Sequence, residues 1–212
     1  MSTRRGNVVK LDDMLDTAKE SMHDIMRKNQ EKYAQVENPE LTADIVGKAA
    51  IMIQDMSAKR YLPWGNKHLT YISVHNYQFS WDRMLSAEGD TGVYLQYAHT
   101  RFASIGRKNG LTAEDAVDAD LSLLVEPQAF VVLRALAEYP EIVYTSLKVS
   151  EPSTVVTYLF KMTHLASTCY ETLVVKGAEP QVAKARYAVY LSVKTVLANG
   201  MRLLGLTPLE RM

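Results

Sequence analysis

The sequence predicts an all-α protein whose helices form a bundle. Apolar residues recur at helical spacing through most of the 212 residues, and helix-capping residues stand at the limits of these segments. Extended structure is indicated in two short places, "GNVVKL" at residues 6–11 and the aromatic, proline-containing segment 59–79. Neither supplies the strands that an independent sheet needs.

Composition narrows the classes of function. Formal net charge is zero, so the chain is a poor nonspecific binder of polyanions, and nucleic acid would have to meet a local basic face and stacking side chains. Residues 111–126 hold five acids and no Lys or Arg, whereas 176–212 hold six bases and two acids. No apolar run approaches the roughly 20 residues of a membrane span, so no membrane partner is expected. The lone Cys169 excludes an internal disulfide and fits a reducing compartment.

Two helices are predicted in the first 60 residues. The first covers 11–36, with an Asp near its start as N-cap and an end at Asn38-Pro39. The second covers 41–58, with Thr42 as its cap and an apolar stripe that begins at Leu41.

Five helices are predicted after residue 90. Thr91 caps a helix over 93–109, which Asn109-Gly110 closes. The other four are expected at 113–124, 127–138, 153–175 and 181–204.

Generic catalytic motifs are absent from the sequence. It contains no phosphate-binding G-x-x-x-x-G-K-[ST], no G-x-G-x-x-G, no G-x-S-x-G and no H-E-x-x-H. The five histidines show no metal-ligand spacing, and Cys169 has no neighbour that would make it a nucleophile. No metal site is therefore predicted.

Four blocks of sequence carry a resemblance that covers essentially the whole chain. They are "MSTRRGNVVKLDDMLDTA", "IQDMSAKR", "NYQFSWDRMLSAEGDTGVYLQYAHTR" and "LLGLTPLERM". In this order they resemble the C-terminal part of arginyl-tRNA synthetases, class I aminoacyl-tRNA synthetases, of the eukaryotic cytosolic type. The resemblance implies a DALR-type anticodon-binding bundle, preceded by a helical remnant of the catalytic and stem-contact region.

The first residues resemble the mobile signature loop with which class I synthetases bind ATP phosphates. The resemblance assigns this loop to Met1, Ser2, Thr3, Arg4, Arg5 and Gly6. The two arginines supply charge and the glycine supplies flexibility. The H-I-G-H motif and arginine pocket of the family have no counterpart here, so we expect no arginine activation by this polypeptide alone. ATP with magnesium is expected only in the full-length family enzyme.

The resemblance also assigns residues to the anticodon-binding face. Tyr170 and Met212 match anticodon-loop contacts, and Tyr94, Tyr97 and Arg101 are further candidates because their spacing places them on one helical face. Splayed anticodon bases are recognised by stacking and by hydrogen bonds to their edges. A Tyr side chain suits this role, because its ring can stack and its hydroxyl can form a hydrogen bond. For Tyr94 and Tyr97, packing in the core is the alternative. Trp81, Asp82 and Arg83 are interpreted as a structural hinge.

The predicted division is 1–80 for the tail of the catalytic domain, with the signature loop at 1–7, and 81–212 for the anticodon-binding bundle. An unusual insertion near 61–75 departs from the family. It indicates either a lineage-specific loop or a translated intron in a chain begun at an internal Met.

The expected function is binding of tRNA(Arg) by its anticodon loop as part of a cytoplasmic arginine–tRNA ligase. The alternatives are a stand-alone, non-catalytic tRNA-binding paralogue and a helical interaction module of a synthetase assembly. A monomer is expected, with synthetase-complex proteins as further candidate partners.

Overall fold

A computed structural model of the chain describes residues 10–59, 81–86 and 89–212. The signature-loop residues 1–6, the insertion near 61–75 and the side chains of Asp82 and Arg83 lie outside this description. The described residues contain helices and no strand, which confirms the all-α prediction. The α-helices are α1 (Leu11–Arg27), α2 (Gln30–Tyr33), α3 (Pro39–Met56), α4 (Trp81–Met84), α5 (Gly92–Asn109), α6 (Ala113–Val117), α7 (Pro127–Ala137), α8 (Tyr139–Val149), α9 (Ser153–Thr168) and α10 (Pro180–Leu203).

The buried side chains form two hydrophobic clusters that α3 and α5 connect. The larger cluster lies among α5, α7, α9 and α10, and α3 adds Ala49 and Ile53 to it. The smaller cluster lies among α1, α3, α4 and the start of α5, and it includes the buried Met22 and Val46. Because α5 contributes to both clusters, its orientation is fixed from two sides.

Local sequence explains where α5 and α10 begin and end. Thr91 Oγ1 accepts a hydrogen bond from the Tyr94 N–H, and Gly110 ends α5 in the left-handed region at φ 65°. Both predictions for α5 are confirmed. Pro180 stands in the first turn of α10, and the Glu179 carboxylate accepts from the next two N–H groups. The prediction of a helix at 181–204 is confirmed as well.

The structure corrects the predicted N-terminal helices. Helix α1 ends at Arg27 rather than 36, and its N-cap, Lys10, makes no side-chain capping bond, so the predicted Asp cap is wrong. Helix α3 begins at Pro39, and Asn38, not Thr42, caps it by accepting from the Leu41 N–H. Leu41 is 52% exposed, so the predicted apolar stripe is wrong at its first residue, whereas Ala49 and Ile53 farther along it are buried.

Further corrections concern the C-terminal half. Helix α8 was not predicted; Pro140 stands in its first turn, where Pro loses no hydrogen bond. The predicted helix at 153–175 ends at Thr168, and Tyr170 lies in a 3-10 turn at Cys169–Glu171. The helix predicted at 113–124 is the short α6 followed by a 3-10 turn at Leu121–Leu123.

Candidate nucleic-acid interface

Helix α5 presents one face to the core and the other to solvent. Leu95, Ala98 and Phe102 are buried in the larger cluster. On the opposite face Tyr97 is 42% exposed and Arg101 is exposed. The shared face predicted from the spacing of Tyr97 and Arg101 is therefore present, and it is open to a ligand.

Tyr170 lies beside this face within a group of aromatic rings. Its ring stacks with Phe102 at a centroid distance of 5.7 Å and with Tyr190 at 5.5 Å, at interplanar angles of 14° and 12°. The guanidinium carbon of Arg101 lies 3.7 Å from the Tyr170 ring centroid. Such a cation–π contact holds the guanidinium flat against the ring. A base that approaches Tyr170 from this side meets Arg101 first.

The hydroxyl of Tyr170 is buried and has no hydrogen-bond partner among the described residues. Burial raises the pKa of this phenol well above its ordinary value, although the nearby Arg101 acts to lower it. A hydroxyl in this position cannot reach the edge of a base without a rearrangement. In this arrangement the Tyr170 ring supports the Arg101 guanidinium, and its hydroxyl points into the protein.

Tyr94 is half-buried and already has neighbours on α9. Its ring stacks on His164 at 5.3 Å, and its hydroxyl lies 3.5 Å from both His164 Nδ1 and Ser167 Oγ. The other ring nitrogen of His164 lies 2.7 Å from Asp90 Oδ1. Tyr94 thus ties α5 to α9, while its spacing still places it on the side of Tyr97.

A cleft of about 430 Å³ lies along the exposed face of α5. Four of its lining residues are cationic and none is acidic. Met212 lines it too, half-buried, and also packs against the smaller cluster with Leu209. The lining residues are Gln35, Val36, Tyr97, Thr100, Arg101, Ser104, Arg107, Lys108, Arg211 and Met212.

Sequence reasoning missed Arg107, Lys108 and Arg211 as members of this cleft. A signal for Lys108 existed, because it continues the stripe of Tyr97 and Arg101 at helical spacing. The signal for Arg211 was its position beside Met212, and a tertiary contact brings both residues to α5.

The basic character of residues 176–212 is partly cancelled within the molecule. Lys184 pairs with Asp115 at 2.8 Å, and Arg186 pairs with Glu126, so two bases of α10 neutralise two members of the acidic run. Lys194 pairs with Glu210 at 2.9 Å. Of the six bases in this segment, three are therefore paired with acids, and a fourth, Arg211, lines the cleft on α5.

The other residues that the sequence singled out lie mostly outside the described part of the structure. Met1–Gly6 lie outside the described residues, and Trp81, of the proposed hinge, is half-buried against the smaller cluster. The described residues contain no group of three His, Cys, Asp or Glu side chains that could hold a metal ion. Over the same residues, no helix is long and apolar enough to cross a bilayer.

Comparison with known families identifies the bundle that carries the cleft. Residues 95–212, more than half of the chain, match the DALR anticodon binding domain. The chain belongs to this family. The DALR match begins within α5 and includes the cleft residues Tyr97, Arg101 and Met212. Residues 1–65 match a second family, the catalytic domain of class I (R) tRNA synthetases.

Individual relatives confirm the resemblance to arginyl-tRNA synthetases. The chain is 53% identical over 213 residues to the cytoplasmic arginine–tRNA ligase of Saccharomyces cerevisiae, and 52% identical over 212 residues to a probable cytoplasmic one of Schizosaccharomyces pombe. Both alignments cover 100% of this chain but 33% and 32% of those proteins, so the chain spans about a third of their length. The solved arginyl-tRNA synthetase of Thermus thermophilus matches with TM-score 0.79 and 26% identity, over 100% of this chain and 33% of that chain.

Proposed function

We propose that the chain is the anticodon-binding part of an arginine–tRNA ligase and that it binds tRNA(Arg) at the cleft on α5. The observation that carries this proposal is the coincidence of an exposed Tyr and four cations in one cleft of a DALR domain. Relatives at 53% and 52% identity bear the name arginine–tRNA ligase, which supports tRNA(Arg) as the partner.

The cleft offers the two kinds of contact that a single-stranded loop requires. Arg107, Lys108 and Arg211 supply positive charge for backbone phosphates. Tyr97 presents an exposed ring on which a splayed base stacks. Arg101, flat on Tyr170, provides a second stacking surface, because guanidinium planes accept bases as aromatic rings do.

The wider role follows from the same relatives. We propose that the protein acts in arginyl-tRNA formation in the cytoplasm, as the names of these relatives state for them. ATP, used by the class I family, would meet the signature loop Met1–Gly6 in a complete active site. Residues 1–80 would belong to the catalytic region and 81–212 to anticodon binding. The expected monomer and synthetase-complex partners stay predictions.

Substitution of two lysines in similar helical positions, one inside the cleft and one outside it, tests the site. Lys108 and Lys148 are both exposed and both stand in the last turn of a helix, but only Lys108 lines the cleft. Lys108→Ala should weaken tRNA(Arg) binding and reduce the slope of log K against log salt by about 0.7, the value for one phosphate contact on a single strand. Lys148→Ala should leave both unchanged.

A matched pair of tyrosines tests the stacking contact. Tyr97→Ala should weaken binding by about 1–3 kcal/mol, as loss of one stacked base does. Tyr144→Ala, at another exposed tyrosine, should have no effect. Filter binding with purified tRNA(Arg) measures both pairs. Equal losses at Lys108 and Lys148, or at Tyr97 and Tyr144, would show unspecific attraction and contradict the proposed site.

A further inference from the structure

We infer that Gln96 and His99 are positioning residues, which hold residues 205–212 against α5 so that Arg211 and Met212 lie in the cleft. This inference rests on the proposed function for its consequence in tRNA binding. Its structural part, the attachment of the segment, can be measured without RNA.

Gln96 forms hydrogen bonds to the backbone of the segment with both the nitrogen and the oxygen of its side-chain amide. The side chain is 0% exposed, although it is polar and lies on a helix. Its Nε2 donates to the Thr207 carbonyl at 2.8 Å, and its Oε1 accepts from the Leu209 N–H at 3.1 Å. One side chain thus pairs with two backbone groups two residues apart, which fixes the register of the segment.

His99 secures the same residue from the next turn of α5. It is 1% exposed, and its Nδ1–H donates to the Leu209 carbonyl at 2.6 Å. Its Nε2 is buried and has no hydrogen-bond partner among the described residues. Both backbone groups of Leu209 are therefore bonded to α5, by Gln96 and by His99.

Apolar packing also holds the segment, since Leu206 is buried in the larger cluster and Leu209 and Met212 pack against the smaller one, but such packing is less directional than hydrogen bonds to the backbone. Gly205, at φ 79°, turns the chain out of α10, and no helix follows it. Glu210 lies 2.9 Å from Lys194 and 3.9 Å from Arg107, but its side chain is 59% exposed, and exposed pairs of this kind contribute little. The two residues after Glu210 are Arg211 and Met212, which line the cleft. The bonds to Leu209 set the backbone register from which these two residues reach the cleft.

Amide exchange tests the attachment alone. In Gln96→Leu, a substitution of similar size that removes both bonds, the Leu209 N–H should exchange at least about tenfold faster than in the wild type. Thr163→Val is the control, because it removes another buried bond, from Thr163 Oγ1 to the Leu159 carbonyl at 2.7 Å. It should leave the Leu209 rate unchanged. An unchanged rate in Gln96→Leu, or an equal increase in the control, would overturn the inference.

Two substitutions of His99 separate its bond from its bulk. The amide nitrogen of Asn occupies nearly the position of the histidine Nδ1 and keeps a donor for the Leu209 carbonyl. His99→Asn should therefore retain slow exchange at Leu209, whereas His99→Leu should accelerate it. Equal rates in the two variants would show that the hydrogen bond does not hold the segment.

A double-mutant cycle tests the link to tRNA binding. Deleting Arg211 and Met212 should weaken tRNA(Arg) binding by about tenfold, and Gln96→Leu should weaken it to a similar extent. In the shortened chain Gln96→Leu should cause no further loss, because the residues it positions are gone. An equal loss in both backgrounds would overturn the positioning role. If the wild-type chain shows no preference for tRNA(Arg), the proposed function fails, and the exchange rates still decide the attachment.

Discussion

The close approach of α3 and α5 makes Gly92→Ala the most informative single substitution for the fold. A Cβ at Gly92 would lie 2.1 Å from the Ala49 carbonyl oxygen and 2.8 Å from the Ala50 nitrogen. Ordinary contact begins at 3.4 Å, so the two helices would have to move apart by more than an ångström. The obstructing atoms are backbone and cannot rotate away. The substitution therefore acts on the junction between the two hydrophobic clusters.

The expected magnitude follows from two opposed effects. Overpacking a tight contact costs about 1–3 kcal/mol, occasionally more. The higher helix propensity of Ala offsets at most about 1 kcal/mol. We expect the free energy of unfolding to fall by about 2 kcal/mol, and the melting temperature by about 4–8 °C for a chain of this size.

Gly200→Ala is the matched control for Gly92→Ala. Its Cβ would also meet a close neighbour, at 2.5 Å, but this neighbour is the Leu159 side chain, which can change rotamer. Its cost should be about 1 kcal/mol or less, because the gain in helix propensity offsets most of the strain. Urea titration followed by circular dichroism measures both variants. A Gly92→Ala protein as stable as the wild type would refute the described packing of α3 on α5.

Three substitutions of polar side chains give further predictions. Burial raises the pKa of the Glu126 carboxyl, but its own backbone N–H and the Arg186 guanidinium outweigh this and hold that pKa below its ordinary value. The ion pair therefore stabilises the fold above about pH 4.3, and its contribution is lost as pH falls through the folded-state value. Glu126→Gln should lower the free energy of unfolding at pH 7 by about 1.5–3 kcal/mol and flatten its decline between about pH 5 and 3 in urea titrations; a decline as steep as in the wild type would contradict this. Tyr158→Phe should cost about 1 kcal/mol in thermal melts, because the buried hydroxyl donates to the Ala135 carbonyl at 2.8 Å. Tyr170→Phe should be neutral or stabilising, since it removes a buried hydroxyl without a partner, and equal losses at the two tyrosines would be the contrary result.

Local sequence was sufficient for the features of α5 that place the site. The Thr91 cap, the Asn109-Gly110 end and the common face of Tyr97 and Arg101 all depend on neighbours within a few residues. Local sequence was insufficient at α8, where the same residue type, Pro, fits both a helix start and a break. In the structure Pro140 stands in the first turn of α8.

Features that join distant residues could not be predicted. The pairing of Glu126 with Arg186 spans 60 positions, and it removes part of the charge that suggested a basic face on 176–212. The contact of Gln96 with Leu209 spans 113 positions, and it places Arg211 and Met212 at the cleft. From sequence alone, Gln96 cannot be distinguished from an exposed polar residue of a helix, because its partners lie more than 100 residues away.

Anticodon discrimination is the most direct test of the central claim. The chain should be titrated with an anticodon stem-loop of tRNA(Arg) and with the same stem-loop carrying a substituted anticodon, at one fixed salt concentration. Because stacking alone accepts any base, discrimination must come from base-edge contacts of polar side chains that line the cleft, such as Gln35 and Arg101. With such contacts we expect at least about tenfold tighter binding of the arginine anticodon. Equal affinity for the two stem-loops would contradict the account.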